Sequence, residues 1–224
     1  MQKVAITGSK GTVGSVLVGN LNPNEYGVTK LDLPEHDVSD IEHLRKVLVG
    51  HFAVVHCAWK HLNFRDEGLE ADDLMMAYNV YKVSKELGID RVIMASSNHA
   101  NQHDNRNAEG KLAVDVPPIP DSPYGAAKVF MEGLGRFYAS EGLGVACVRI
   151  GNLNADDAPR PLSEEDPQRW LSHRDWTSLV ETILAVPEIP SNFVLMNGVS
   201  KSPEQAFPYD NPFGWEPIDS SSDN

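Results

Sequence analysis

A tyrosine four residues ahead of a lysine can do proton chemistry when the two share a helix face. The ammonium then sits near the phenol, lowers its pKa and makes it a usable proton donor or acceptor near neutral pH. This spacing occurs four times, at Tyr26/Lys30, Tyr78/Lys82, Tyr81/Lys85 and Tyr124/Lys128. Tyr26 and Lys30 fall in a strand-like run, where four residues span about 13 Å, so that pair is excluded. The two central pairs lie mid-helix, where an amphipathic ring and a solvated lysine are the ordinary expectation. Tyr124 and Lys128 instead open a helix behind a long polar loop, downstream of Ser96 and Ser97 at a strand end. Ligands of open α/β sheets bind outside such ends, which singles out this pair.

The second chemical signature is Thr7-Gly8-Ser9-Lys10-Gly11-Thr12-Val13-Gly14, a Gly-x-x-Gly-x-x-Gly at the junction of a strand and a helix. Gly8 suits the tight turn, Gly11 lets the backbone approach a pyrophosphate, and Gly14 allows close helix packing. The helix N-terminus adds free amides and a positive dipole end, so dinucleotide binding is expected, with Thr12 and Val13 part of the cradle. Asp32 ends the next strand, where its carboxylate can accept both adenosine ribose hydroxyls and repel a 2′-phosphate; NAD is therefore expected over NADP. Asp37 and Val38 follow at once, in a segment too short for the usual intervening helix and strand, and join the cofactor set. His56 fits a strand end near the phosphates, with backbone contacts from Cys57, Ala58 and Trp59, and Ile150 adds a contact from a later strand. The remaining histidines read as surface or packing residues, His99 excepted, and no metal role is expected for any of them.

These groups need a scaffold, and the periodicity supplies one. Short apolar runs over 3–7, 27–33, 52–58, 91–95, 144–150 and 193–197 alternate with helical patterns over 13–21, 40–49, 72–87, 123–138 and 175–185. That alternation predicts an α/β fold with a doubly wound parallel sheet of Rossmann type. Ser39 is the expected cap of the second helix and Ser122, before Pro123, that of the fourth; Asp175 caps the last or packs at its start. Residues 96–121 read as polar, proline-rich loop, and the ending DSSSDN as a solvated tail. Residues 1–150 are expected to form the cofactor core with the Ser/Tyr/Lys site, and 151–224 a small substrate-binding cap interwoven with the last strand.

Composition narrows the partners. The chain has 224 residues, 41% hydrophobic and 23% charged, with 19 Lys and Arg against 32 Asp and Glu and a formal charge of −13. It can bury a substantial core, and its charge repels phosphate backbones and anionic lipid, so neither nucleic acid nor membrane is an expected partner. No apolar run approaches a bilayer span and the start has no signal-peptide pattern, so a cytoplasmic location is expected. Cys57 and Cys147 read as buried, reduced core thiols. The apolar, tyrosine-bearing stretch from Leu74 to Leu87 is the candidate surface for a homo-oligomer, although a buried crossover helix accounts for it equally.

TGSKGTVG at the start, Asn79, MASSNH at 94–99, SPYGAAK at 122–128 and FGWEP at 213–217 together resemble the extended short-chain dehydrogenase/reductase family, that of the NAD-dependent epimerases and dehydratases. Within it, ASSNH, VRIGN at 148–152 and WLSHRDW at 170–176 are most similar to uronate dehydrogenases and archaeal NAD-dependent sugar-phosphate dehydrogenases. The resemblance implies Tyr124 as acid/base, Lys128 as its partner and ribose ligand, Ser97 as the hydroxyl orienting the reacting oxygen, and Asn79 as holder of a relay water. It puts Asn98, His99 and Asn152 against sugar hydroxyls. It also implies an arginine on the substrate carboxylate, for which Arg160, Arg169 and Arg174 are candidates, with Arg160 and Arg169 favoured. The implied activity is oxidation of the anomeric carbon of a small cyclic sugar acid to a lactone, with hydride passing to NAD. A sugar-phosphate or aldose dehydrogenase, an epimerase or dehydratase that retains NAD, and a non-catalytic dinucleotide sensor are the alternatives.

Overall fold

In a computed structural model the chain, described over residues 1–60, 71–160 and 168–222, folds as strands and helices in alternation. The strands are β1 (Gln2–Thr7), β2 (Tyr26–Leu31), β3 (Ala53–His56), β4 (Arg91–Ser97), β5 (Gly144–Ile150) and β6 (Phe193–Gly198). The helices are α1 (Thr12–Asn20), α2 (Ile41–Val47), α3 (Ala71–Glu86), α4 (Pro123–Ser140) and α5 (His173–Ala185). All six strands pair in parallel in the order β2-β1-β3-β4-β5-β6, the expected Rossmann-type sheet. Parallel strands need helical crossovers that cover both faces, and β3, β4 and β5 are accordingly buried at every position.

Two apolar layers result. On one face α1 and α5 bury Val16, Leu17, Trp176, Leu179 and Ile183 against the sheet, and the Trp176 indole donates to the Val13 carbonyl at 3.1 Å. On the other, α2, α3 and α4 pack through Leu44, Met76, Val80, Tyr81 and Met131. The apolar side of α3 is thus used within the chain, which accounts for the Leu74–Leu87 pattern. The chain leaves β1 on one side to reach β2 and returns to set β3 on the other. The crevice at the carboxyl ends of β1 and β3 is therefore the switch point where such sheets bind ligands.

Local expectations shift at four places. Asp40, not Ser39, caps α2: its Oδ1 accepts from the Glu42 and His43 amides at 3.0 Å, while the Ser39 hydroxyl donates to Asp37. Ser172 caps α5, three residues ahead of Asp175, and buried Asp175 instead packs at the helix start, accepting from the Ser200 hydroxyl and the Ile218 amide. The tail is docked through Ser221, whose amide donates to Lys201 O at 2.9 Å, because Asp219 is held by Ser172 and Arg174. Cys147 is buried as expected, but Cys57 is only half-buried because β3 ends one residue before it, at a cavity wall. None of the described helices is long and apolar enough to cross a membrane.

Candidate active site

The glycine loop fixes one end of the site. Gly8 has a φ of +66°, and a Cβ there would lie 2.7 Å from the Ala58 backbone; a Cβ on Gly14 would lie 2.2 Å from Gly8 O. Only glycine allows this approach of β1, α1 and the end of β3, so the loop is a cradle that side chains would fill. Its residues line two adjoining cavities. The first, about 380 Å³, is walled by Gly8, Gly11, Asp32, Asp37, Val38 and Met76 among others. The shortened segment after Asp32 thus still encloses an adenosine-sized space, with Asp37 and Val38 taking the wall. Asp32 Oδ2 accepts from the Lys10 amide at 2.6 Å, tying the loop to the end of β2 and holding the carboxylate at the cavity. These residues fit a dinucleotide.

The second cavity, about 350 Å³, gathers Ser97, Asn98, His99, Tyr124, Lys128, Ile150, Asn152 and Arg169 around Thr12, Val13 and Gly14. The two share Gly8, Gly11, Cys57 and Trp59. Ser122 caps α4 through the Gly125 amide at 3.1 Å, which presents Tyr124 and Lys128 in its first turns toward the end of β4. Ser97 ends β4 and lines the same cavity as the Tyr124 phenol, whose pKa it lowers. Lys128 is buried and donates to Ala95 O at 3.0 Å, with Nζ 5.3 Å from the centre of the Tyr124 ring.

The electrostatics differ from the expectation in sign. Burial pushes the Tyr124 phenol up to about 12, and Asp73 and Asp121 act the same way against the Ser97 hydrogen bond. Burial also brings Lys128 down to about 8, with Cys57, Asp73 and Glu132 opposing. Loss of water is the largest influence on the phenol and sets the direction of its shift. At neutral pH the tyrosine is protonated and the lysine still mostly charged.

Other expected residues are placed unequally. Asn79 lines neither cavity: its amide donates to Val38 O and Ser39 O, bracing the adenosine-side turn. Arg160 is exposed, with Asp156 3.8 Å away, and Arg174 is paired with Asp219. Among the described residues, Arg169, nine-tenths buried, is the arginine that lines the second cavity, its NH1 2.7 Å from His103 Nε2. The parallel bridge between Asn152 and Trp170 carries it there. His61 lies outside the described residues. Sequence reading missed Asp121, whose Oδ2 is 2.7 Å from His99 Nδ1, and His103 behind Arg169. Asp121, directly ahead of SPYGAAK, was the readable signal; His103 had none, because its contact crosses a long loop.

His56 is buried against Thr7 Oγ1 at 2.7 Å, and loss of water together with nearby Lys128 brings its imidazole down to about 3. The unfolded imidazole takes a proton near pH 6.5 that the folded one refuses until about 3. Stability is therefore full above about pH 6.5 and falls below it, by about 1.4 kcal/mol per pH unit from this group. Urea denaturation at pH 7 and pH 5 should differ by about 2 kcal/mol on this account. His56→Asn should remove that part of the difference, and an unchanged slope in the variant would contradict the assignment.

The profile of the NAD dependent epimerase/dehydratase family matches residues 4–171. An L-arabinose 1-dehydrogenase (NAD(P)(+)) of Haloferax volcanii is 33% identical over 229 residues, covering 86% of this chain and 89% of that protein. A uronate dehydrogenase of Agrobacterium fabrum is 26% identical over 238 residues, covering 99% of this chain and 86% of that protein. In structure, a mutant uronate dehydrogenase from Agrobacterium tumefaciens complexed with NAD superposes with a TM-score of 0.81 at 26% identity, over 100% of this chain and 87% of that one.

Proposed function

The chain belongs to the NAD-dependent epimerase/dehydratase family and is an NAD-dependent sugar dehydrogenase, and from that premise we propose that it oxidises the anomeric carbon of a uronate-type cyclic sugar acid to the lactone. The observation that carries the reading is the buried Arg169 guanidinium in the same cavity as Ser97 and Tyr124, a fit for an anionic group on the sugar. Tyr124 passes its own phenol proton on to solvent as it takes the proton of the anomeric hydroxyl, and Ser97 holds that oxygen by a hydrogen bond. Lys128 keeps positive charge beside them. Asn98, His99 and Asn152 face the ring hydroxyls, with Asp121 fixing the His99 tautomer. Bound NAD supplies the hydride acceptor. Gly8, Gly11, Thr12, Val13 and Gly14 hold its pyrophosphate and Asp32, Asp37 and Val38 its adenosine. Residues 151–224 act as the cap by carrying Asn152 and Arg169 over the site.

A second reading, a neutral aldose as substrate, is favoured by the contact of Arg169 NH1 with His103 and by the name of the archaeal relative. Growth of NADH absorbance with glucuronate, galacturonate, glucose 6-phosphate, glucose, xylose and arabinose separates the two. On the uronate reading, Arg169→Ala raises KM for uronates by about 10- to 100-fold, the value of a charge-assisted hydrogen-bond pair, and leaves neutral sugars nearly unchanged. Turnover of arabinose alone, indifferent to Arg169, would replace the uronate assignment with the aldose one.

A further inference from the structure

Trp59 stands where the two cavities meet and lines both. The ring faces Lys128, with Nζ 4.5 Å from its centroid, and meets the Tyr124 ring edge-on at 4.9 Å and 90°. The turn that carries it is clamped to α3: the Lys60 amide donates to buried Asp73 at 2.8 Å, and Lys60 Nζ reaches Asp72 at 2.8 Å. The indole is therefore held in place by the next residue along the chain.

Lys128 needs such a neighbour. It is 5% exposed, and Ala95 O is the hydrogen-bond acceptor seen for its ammonium. From the end of β3 and the residue after it, it is faced by His56 and Cys57, from α3 by Asp73, from β4 by the Ala95 carbonyl, and from its own helix by Tyr124 and Glu132. Glu132 is committed to Arg149 and Ser96, and Asp73 accepts from the Lys60 amide. An aromatic face at this distance attracts a cation, most strongly where water is excluded.

We propose that Trp59 is a positioning residue whose indole face holds Lys128 in its ammonium form while its edge fixes the Tyr124 ring, so that one aromatic side chain governs both members of the proton-handling pair. The proposal rests on the reading of Tyr124 and Lys128 given above. Burial, against the opposing effect of Cys57, Asp73 and Glu132, brings the lysine down to about 8, within reach of assay conditions, so a change in its aromatic neighbour becomes visible near neutral pH.

The test is NADH binding, followed by fluorescence of the bound dinucleotide from pH 6 to 10, for the wild type, Trp59→Phe and Trp59→Leu. Leucine keeps apolar cover over the lysine while removing the ring face. Affinity should fall on the alkaline side as Lys128 loses its proton. In Trp59→Leu that midpoint should move down by about one pH unit, with kcat about fivefold lower at pH 8 and the sugar KM unchanged; Trp59→Phe should stay within about half a unit of wild type. An unmoved midpoint in Trp59→Leu overturns the proposal, and so does an upward one, which would mean that the indole acts by excluding water. Equal displacement in both variants, or no alkaline midpoint in the wild type, overturns it as well. The binding measurement needs no sugar, so failure of every sugar to react would count against the dehydrogenase reading and leave this result standing on its own.

Discussion

Tyr124→Phe should lower turnover by about a thousandfold while leaving NAD binding nearly intact. The ring is held by packing, edge-on to Trp59 at 4.9 Å and to His99 at 5.9 Å, and phenylalanine reproduces both contacts. What is lost is the hydroxyl that meets Ser97 and would accept the substrate proton. A positioned acid/base contributes about 10² to 10⁴ in rate. The cofactor cradle is built from Gly8, Gly11 and Gly14 on β1 and α1, and its shape does not depend on the phenol. NADH formation on any reacting sugar measures the first quantity and quenching of protein fluorescence by NAD the second. Turnover above about a tenth of wild type would remove Tyr124 from the acid/base role. Loss of NAD binding together with turnover would make its role structural.

The second large effect lies beneath the site. Glu132, one helical turn beyond Lys128 on α4, accepts from Arg149 Nε at 2.9 Å and NH2 at 2.8 Å and from the Ser96 hydroxyl at 2.6 Å. Arg149 is 2% exposed and Glu132 6%. Removing one partner of a buried ion pair leaves the other charge uncompensated, so Glu132→Ala should cost about 3 to 5 kcal/mol. For a chain of this length that lowers the thermal midpoint by about 6 to 20 °C. The loss should extend to activity, because the same carboxylate ties β4, beside Ser97, to the helix that carries Lys128. Replacing both charges, as in Glu132→Leu with Arg149→Leu, should regain much of the stability, since well-packed apolar residues often match a buried pair. Thermal and urea unfolding of the three proteins decide the matter. A loss below about 1 kcal/mol in the single variant would show that Arg149 finds other acceptors.

The order of strands and helices, the glycine loop and the selection of Tyr124/Lys128 were determined by the sequence itself, because each depends on near neighbours. Apolar spacing of two or 3.6 residues reports which face is buried, and a glycine at a strand–helix junction answers a local steric demand. The same reasoning ruled out Tyr26/Lys30, which lies in β2. Tertiary structure alone decided the rest. Arg160, Arg169 and Arg174 look alike as letters; the bridge of Asn152 to Trp170 brings Arg169 to the cavity and leaves the other two in solvent. Asn79 sits on the expected helix yet faces the turn after Asp32, because α2 packs against α3 there. The direction of the Tyr124 and Lys128 pKa values turned on how much water β3, α3 and α4 jointly exclude, and the choice of Asp40 over Ser39 as a cap on where the backbone turns. Burial and charge are sums over residues far apart in the chain, and those sums exist only once the sheet has closed.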